Sequence, residues 1–567
     1  MPFALFAFIF RKATVNLAFG IVMSTPHHIN FPAHRPSIMG RQGVVTSGHP
    51  LASQAGISIL QAGGNAMDAA IATAAAVGVV ELPMSGVGGD GFIMCYDAHT
   101  RRMYGVNATG PAPTGATREF YIDKGGIPMK GILSVSIPGI VDGWLIAHRQ
   151  LGKLPLIDVF GPAIELCEHG FPVSHKLASA LANEHDRFGA DPYTQPIFEP
   201  DGRPLTPGEV LYQRNLGNTL RAIATQGRDA FYEGDVAAQI AAFSDEYGGL
   251  ITQEDLARFR ARWDEPIHVD YHDYRVYEMP PNSSGHILLQ ELNIVENFDI
   301  PSMGCLSPDS IHVMVEAKKL AFADRERHMA DPDWIDVPLD TMLSKDYAAA
   351  RAGQINHTKA ADVVETGIPE SEDETTCLTA ADGDGNAVCI LQSIQGGCGS
   401  SLIAGETGIL LNNRMTYWHL EKNHPNDLAP GKRVRHTMNP VIATRGNEPV
   451  IVCGTPGADT QVQTNLQLLT HAIHFGMTPQ EAVEAPRWRN LQNPMESTVP
   501  HTCEDRLQLE ARFDSTVRKE LERRGHKVEI LGNWGGPGNA QFISRNVQSG
   551  VLSGGVDPRR DGYAIAL

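Results

Sequence analysis

Apolar positions are arranged in two different ways on either side of Thr375. On the N-terminal side helical spacing dominates. Residues Ala66 to Val80 are apolar on every face, with Asn65 placed to cap them and Pro83 to stop them, which predicts a helix buried between layers. From Leu133 to Phe259 the pattern is mostly helical, broken at Pro138, Gly152, Gly170 and Pro207, and Ser307-Pro308-Asp309 opens a helix expected to reach about His328. Residues Tyr271 to Glu278 alternate as a strand does, and Pro280 to Gly285 closes it as a loop. Lys359 to Asp373 is polar, acidic and poor in large apolar groups, and reads as an exposed loop. Beyond Thr375 come short β-runs, among them Gly408 to Leu411 and Val450 to Cys453, then a helix from Thr460 to about Phe475 and a last strand near Phe542.

Composition narrows the function classes. A chain of 567 residues, 42% hydrophobic, buries a large core, either as three or four domains at roughly 150 residues each or as one layered α/β unit. The formal charge of -19 repels phosphate backbones, so a small molecule is a better partner than nucleic acid. Eight cysteines without a CxxC pair, several inside apolar runs, suit the reducing cytoplasm. The first 23 residues are apolar but interrupted by Arg11 and Lys12. They leave three readings: a secretion signal, which would make the protein periplasmic or secreted, translation that really starts at Met23, or residues 1–40 as a disordered extension. No later run has the roughly 18 to 20 apolar residues of a membrane helix. Gly86-Val87-Gly88-Gly89-Asp90-Gly91 matches GxGxxG by letter, but it follows a helix and enters the strand-like Phe92 to Tyr96, the reverse of a dinucleotide site. It reads as a turn that lets backbones approach, and no cofactor is expected. His27, His28 and His34 are too loosely spaced for a zinc motif, and no metal is expected.

The chemistry concentrates in one hairpin. Thr375 to Ala381 and Ala387 to Gln395 are β-rich runs flanking Asp382-Gly383-Asp384-Gly385-Asn386. If the turn is centred on Asp384, residues whose numbers sum to 768 pair across it: Ala381 with Ala387, Cys377 with Leu391, and Thr375 with Ser393. Alternation then puts Gln395 on the face of Ser393. Opposed hydroxyls are ordinary in sheets. Thr375, however, directly follows the acidic loop, so a cut after Glu374 would leave a free amine beside its hydroxyl. With an ordinary pKa of roughly 7.7 to 8.0, such an amine accepts a hydroxyl proton near neutral pH.

At this point the chain resembles the gamma-glutamyltransferase family of N-terminal-nucleophile hydrolases over nearly its whole length. The matching segments run in order: Ala62 to Ala70, Ser85 to Phe92, Pro280 to Gly285, Ala321 to Arg325, Asp331 to Asp333, Asp382 to Asn386, Gly405 to Asn413, Gly454 to Gly457 and Glu481 to Arg487. The resemblance implies an α+β, four-layer αββα sandwich and self-cleavage between Glu374 and Thr375. The products would be a large subunit (41–374) and a small one (375–567) that stay together as a heterodimer, open to further dimerisation. It also implies Thr375 as nucleophile, Ser393 as the hydroxyl that polarises it, and the amides of Gly457 and Ala458 as the oxyanion hole.

The family's glutamyl anchors are not kept. Thr109 stands where an arginine is expected, Arg414 where the family has glutamine, Tyr417 where it has aspartate, and His436 with Thr437 where it has two serines. Losing charged anchors at about 1.5 to 3 kcal/mol each weakens glutamyl binding strongly. These residues, with Gln395, are therefore expected to line a pocket for another small amide, one whose carboxylate Arg414 binds bidentately, unless Arg414 forms a structural ion pair. Oxamate-hydrolase-like and cephalosporin-acylase-like branches of the family show such drift. Three rivals stay open: a true glutathione hydrolase, an uncleaved non-catalytic scaffold, and Cys377 as nucleophile.

Overall fold

The hairpin forms in the expected register. Strands Thr376–Asp382 and Ala387–Ser393 pair antiparallel with Cys377 opposite Leu391, Thr379 opposite Cys389 and Ala381 opposite Ala387. The computed structural model describes residues 31–361, 375–496 and 499–567, and in it this hairpin is the centre of a seven-stranded sheet. The strand order is Tyr563–Ala566, Gly43–Ser47, Thr376–Asp382, Ala387–Ser393, Asp90–Asp97, Arg102–Ala108, Arg262–Asp264. A second seven-stranded sheet runs Ile38–Gly40, Leu552–Val556, Gln541–Arg545, Glu448–Gly454, Val441–Arg445, Tyr274–Glu278, Ile267–Tyr271. Every neighbouring pair in both sheets is antiparallel.

Side-chain alternation explains the layering. In the first sheet Phe92, Met94, Cys377, Cys389 and Leu391 point inward and meet Ile442, Val452, Ile543 and Leu552 of the second. The intervening residues Ile93, Cys95, Leu378, Ala380, Val388 and Ile390 point outward into a helical layer. On the far side, Val441, Ile451, Cys453 and Phe542 pack against a second helical layer built on Gly285–Val295, Pro308–His328 and Gln461–Phe475. Strands buried on both faces have no polar side, so they read as continuous apolar runs. The result is the four-layer αββα sandwich.

Helix Ala66–Val80 is buried along its whole length, and Asn65 and Asp68 form a capping box at its start. The glycine turn after it joins helix to sheet by close approach. A Cβ on Gly89 would lie 2.2 Å from the Ser393 carbonyl oxygen, and one on Gly88 2.3 Å from that of Leu410.

Four expectations need correction. Tyr271 to Glu278 is not one strand: it spans the end of one and the whole of the next, with a turn at His272, whose φ is +53°. Gly408 to Leu411 makes isolated bridges to Ile403 and Gly88, because Gly408 at φ +71° interrupts extension. The strand near Phe542 is not the last, since Leu552–Val556 and Tyr563–Ala566 follow. The extension assigned to residues 1–40 does not reach residue 40: Ile38–Gly40 is an edge strand, and His34 and Arg35 donate their backbone N–H groups to Glu484. Residues 1–30 and most of the acidic loop (362–374) lie outside the described residues. Among the described residues no helix is long and apolar enough to cross a membrane.

Two expected outcomes follow from this packing. Gly89→Ala pushes a methyl into backbone that cannot yield, so it should lower the thermal midpoint by the equivalent of at least about 3 kcal/mol, the top of the ordinary range for one substitution. Burial also depresses His286 and His471 to about 4. Between about 6.5 and 4 the unfolded chain takes up protons that these folded imidazoles refuse, so their stabilisation is complete above the ordinary histidine pKa and is lost as pH falls through that window. Calorimetry at stepped pH should show the midpoint falling below pH 6.5, and a flat profile down to pH 4.5 would contradict this.

Candidate active site

The inner faces of the two sheets meet at one end around Thr375. Its odd number puts its side chain on the face of Cys377, between the sheets, and its hydroxyl donates to Ser393 Oγ at 3.5 Å. Both residues are buried, at 3% and 1% exposure. Thr376 points the other way, where its hydroxyl donates to Glu81 Oε2 at 2.7 Å, just past the end of helix Ala66–Val80. Two successive threonines thus fasten the strand to both layers. Glu374 is outside the described residues.

Gln395 does not share the face of Ser393 by strand alternation. The strand stops at Ser393, and Gln395 takes φ +81°, so its backbone N–H donates to Ser393 Oγ at 2.7 Å while its side-chain oxygen accepts from Gly396 N. It is near the hydroxyl pair through its amide.

Asp90, which the sequence reading did not single out, ties the neighbouring wall together. It pairs across the ladder with Ser393 and is fully buried. Arg414 Nη2 donates to one of its oxygens at 3.1 Å, and His436 Nε2 lies 3.2 Å from the other. Burial alone would raise the Asp90 carboxyl, but Arg414 and His436 overrule it and hold it below the usual carboxylate range. Burial, then Arg414, pulls His436 down to about 4. The ring is therefore neutral at pH 7. Its Nδ1 accepts from Met438 N at 3.3 Å, which leaves Nε2 as the protonated nitrogen that donates to Asp90. Arg414 is thus ion-paired within the fold and stacked 4.7 Å over the Tyr417 ring, while its buried Nε has no hydrogen-bond partner.

The remaining pocket residues are internally engaged. Tyr417 and Thr437 share a hydroxyl contact at 3.4 Å. Thr109 donates its hydroxyl to Asn107 Oδ1 at 2.6 Å and accepts from Asn282 Nδ2 at 3.1 Å. Residues 109 and 417 themselves carry no charge; the cation nearest Thr109 is Arg433, whose Nε donates to the Thr109 carbonyl oxygen at 3.3 Å.

The second sheet contributes a turn. A Cβ on Gly454 would lie 2.7 Å from Cys377 Sγ, so strand Glu448–Gly454 ends against the start of strand Thr376–Asp382. The turn beyond it holds Gly457 at φ +122° and Ala458 at φ +43°. These residues open a helical stretch continuing to Phe475, where first-turn N–H groups have no acceptor within the helix. Ala458 is strained in this left-handed conformation, and such strain persists only where neighbours over-determine it. Asp459 provides the hold: it forms a buried ion pair with Arg325 and accepts from Glu496 N at 2.7 Å. Arg325 also pairs with Glu326, which Arg435 links to Glu496. Arg435 adjoins His436, so one charged network fixes both the turn and the pocket wall. Arg325 lies in a segment that the sequence analysis matched, but its partner Asp459 is 134 residues away and invisible to motif reading.

Cys377 lies 4.0 Å from Cys389 Sγ, and burial pushes its thiol well above the ordinary range. A thiol held protonated is a poor nucleophile.

The comparisons agree with this architecture. The family model for gamma-glutamyltranspeptidase matches residues 52–567. The chain is 38% identical to the glutathione hydrolase-like YwrD proenzyme of Bacillus subtilis over 94% of its length and 99% of that protein's. It is 36% identical to the acylase ACY 1 proenzyme of a Pseudomonas strain (SE83), over 96% of each. It superposes on the crystal structure of cephalosporin acylase from Bacillus halodurans with a TM-score of 0.87 at 38% identity, covering 96% of this chain and 99% of that one. The chain belongs to the gamma-glutamyltranspeptidase family of N-terminal-nucleophile hydrolases.

Proposed function

We propose that the chain is a precursor that cuts itself between Glu374 and Thr375 and then works as a threonine amidohydrolase. The observation that carries this reading is the Thr375–Ser393 hydroxyl pair, 3.5 Å apart at the sheet end. In the first step the Thr375 hydroxyl attacks the Glu374 carbonyl and the peptide nitrogen leaves as the amine of Thr375. Water then cleaves the resulting ester, giving a large subunit ending at Glu374 and a small one, 375–567. The names of the relatives, which include proenzymes, favour this sequence of events. In turnover the freed amine takes the proton of the Thr375 hydroxyl, the oxygen attacks the substrate amide, and the negative charge that develops meets the N–H groups of Gly457 and Ala458. The amine of the substrate departs with that proton, and water releases the acyl group. One such donor is typically worth about 100- to 1000-fold in rate.

We further propose that the substrate is a small carboxylate-bearing amide other than glutathione. A γ-glutamyl group brings an α-carboxylate and an α-ammonium, and the engaged Thr109 and the uncharged Tyr417 offer neither counter-charge. Arg414 keeps a cation in the wall, half committed to Asp90 and with its Nε unpartnered, so a substrate carboxylate would meet the free side of its guanidinium.

On a denaturing gel the purified protein should run as two fragments, while Thr375→Ala should stay a single band and Ser393→Ala should process at least about 100-fold more slowly, the lower end of what one general-acid-base or polarising group contributes. Wild type remaining a single band would end the processing reading. In a panel of glutathione, oxamate and glutaryl amides, the two carboxylate amides should be turned over faster than glutathione, and Arg414→Met should raise KM for them. Efficient glutathione cleavage would overturn the specificity reading while leaving the mechanism standing.

A further inference from the structure

A second constellation of metal-ligating side chains lies in the outer helical layer, away from Thr375. His312 and Glu316 are one turn apart on helix Pro308–His328, and His526 follows helix Ser515–Arg523. All three are buried, and each offers a ligand atom within 4.8 Å of the other two. We propose that His312, Glu316 and His526 bind a divalent transition ion of the zinc type, held by two imidazole nitrogens and one carboxylate oxygen.

Proton placement favours this donor set. His312 Nε2 lies 2.7 Å from the Asn356 carbonyl oxygen, which can only accept, so Nε2 carries the proton and Nδ1 presents its lone pair. A carbonyl that accepts from the other ring nitrogen of a histidine ligand, and so fixes its tautomer, is the usual companion of a metal site. That Nδ1 faces His526 Nε2 at 2.8 Å. An ion bound at about 2.0–2.1 Å to each nitrogen needs them only slightly further apart. Glu316 accepts from Ala361 N through Oε2 at 3.0 Å, whereas its buried Oε1 has no hydrogen-bond partner.

The surrounding charge tolerates a cation. Lys319 lies 3.0 Å from Glu316 Oε1 and donates to the Ala361 carbonyl, leaving the second lone pair of that oxygen for a metal. Arg524 is matched by Asp309 and Glu520. Three carboxylates therefore face two cations around the cluster. Imidazole and carboxylate donors without thiolate suit zinc and its transition-metal neighbours better than calcium or magnesium.

The location gives the ion a task. His312 and Glu316 precede Thr375 in the chain and His526 follows it. On the processing reading proposed above, the ion would bridge large and small subunits. Glu316 and Arg524 also hold the backbone of Ala361 and Ala360, close before the cleavage point in sequence.

The test uses the full chain and its Thr375→Ala form, stripped with a chelator and titrated with zinc chloride while heat and thermal midpoint are followed. Both forms should bind one zinc per chain with a raised midpoint, because the ligands are in place whether or not the chain is cut. Binding by Thr375→Ala alone would leave the metal site intact and count only against its bridging role. His526→Gln and Glu316→Gln should each weaken binding by more than the about 10- to 100-fold that losing an outer-shell partner costs. If neither wild type nor Thr375→Ala takes up zinc, or if both variants bind as tightly as wild type, the cluster is a plain histidine–histidine hydrogen bond and the proposal falls.

Discussion

The structure depends on one cross-strand register. With the turn centred on Asp384, odd-numbered residues of the nucleophile strand and its partner face the gap between the sheets. A shift of one residue would send Thr375 and Ser393 to the outer face and bring Thr376 and Gln392 inward. Several independent contacts pin the register. Asp382 accepts from Asn386 N at 2.9 Å inside the turn and from Ala66 N, also at 2.9 Å, at the start of the buried helix. At the other end Thr376 is fastened to Glu81 and Ser393 to the amide of Gln395. The turn, the helix and the strand end agree on one register, so the hydroxyl pair is set by the fold as a whole.

Charge then fixes what surrounds that pair. Buried ion pairs seldom add net stability over apolar packing, because desolvation offsets the attraction, but breaking one leaves a costly uncompensated charge. Here they occupy the places where backbone and pocket shape must be held: Arg325 with Asp459 under the strained Ala458 turn, and Arg414 with Asp90 behind Ser393. Such pairs specify one geometry rather than maximise stability. The backbone donors of the turn are indifferent to side-chain identity, while residues 109, 414, 417, 436 and 437 set the charge of the wall.

Much of this was legible in the sequence. Helix Ala66–Val80, helix Pro308–His328 and the hairpin register were readable because each carries its own signal: an Asn cap before an apolar run, Ser-Pro at a helix start, and a Gly/Asp turn between β-runs. Two of the misreadings share a cause, a single backbone dihedral that composition does not reveal. His272 at φ +53° splits an apparently continuous strand, and Gln395 at φ +81° ends the alternation on which its side-chain direction was based. Asp90 escaped notice because it sits inside a glycine run that looked purely conformational, and Asp459 because its partner is remote in sequence. That Arg414 is ion-paired depends on that same Asp90, which no local pattern supplies.

The most direct test of the central claim is to quench wild-type protein with acid during turnover of a slow amide and map the acylated peptide by mass spectrometry. The acyl group should sit on a peptide whose first residue is Thr375, attached through its hydroxyl. An adduct on Cys377, or on any residue away from that strand end, would contradict the account.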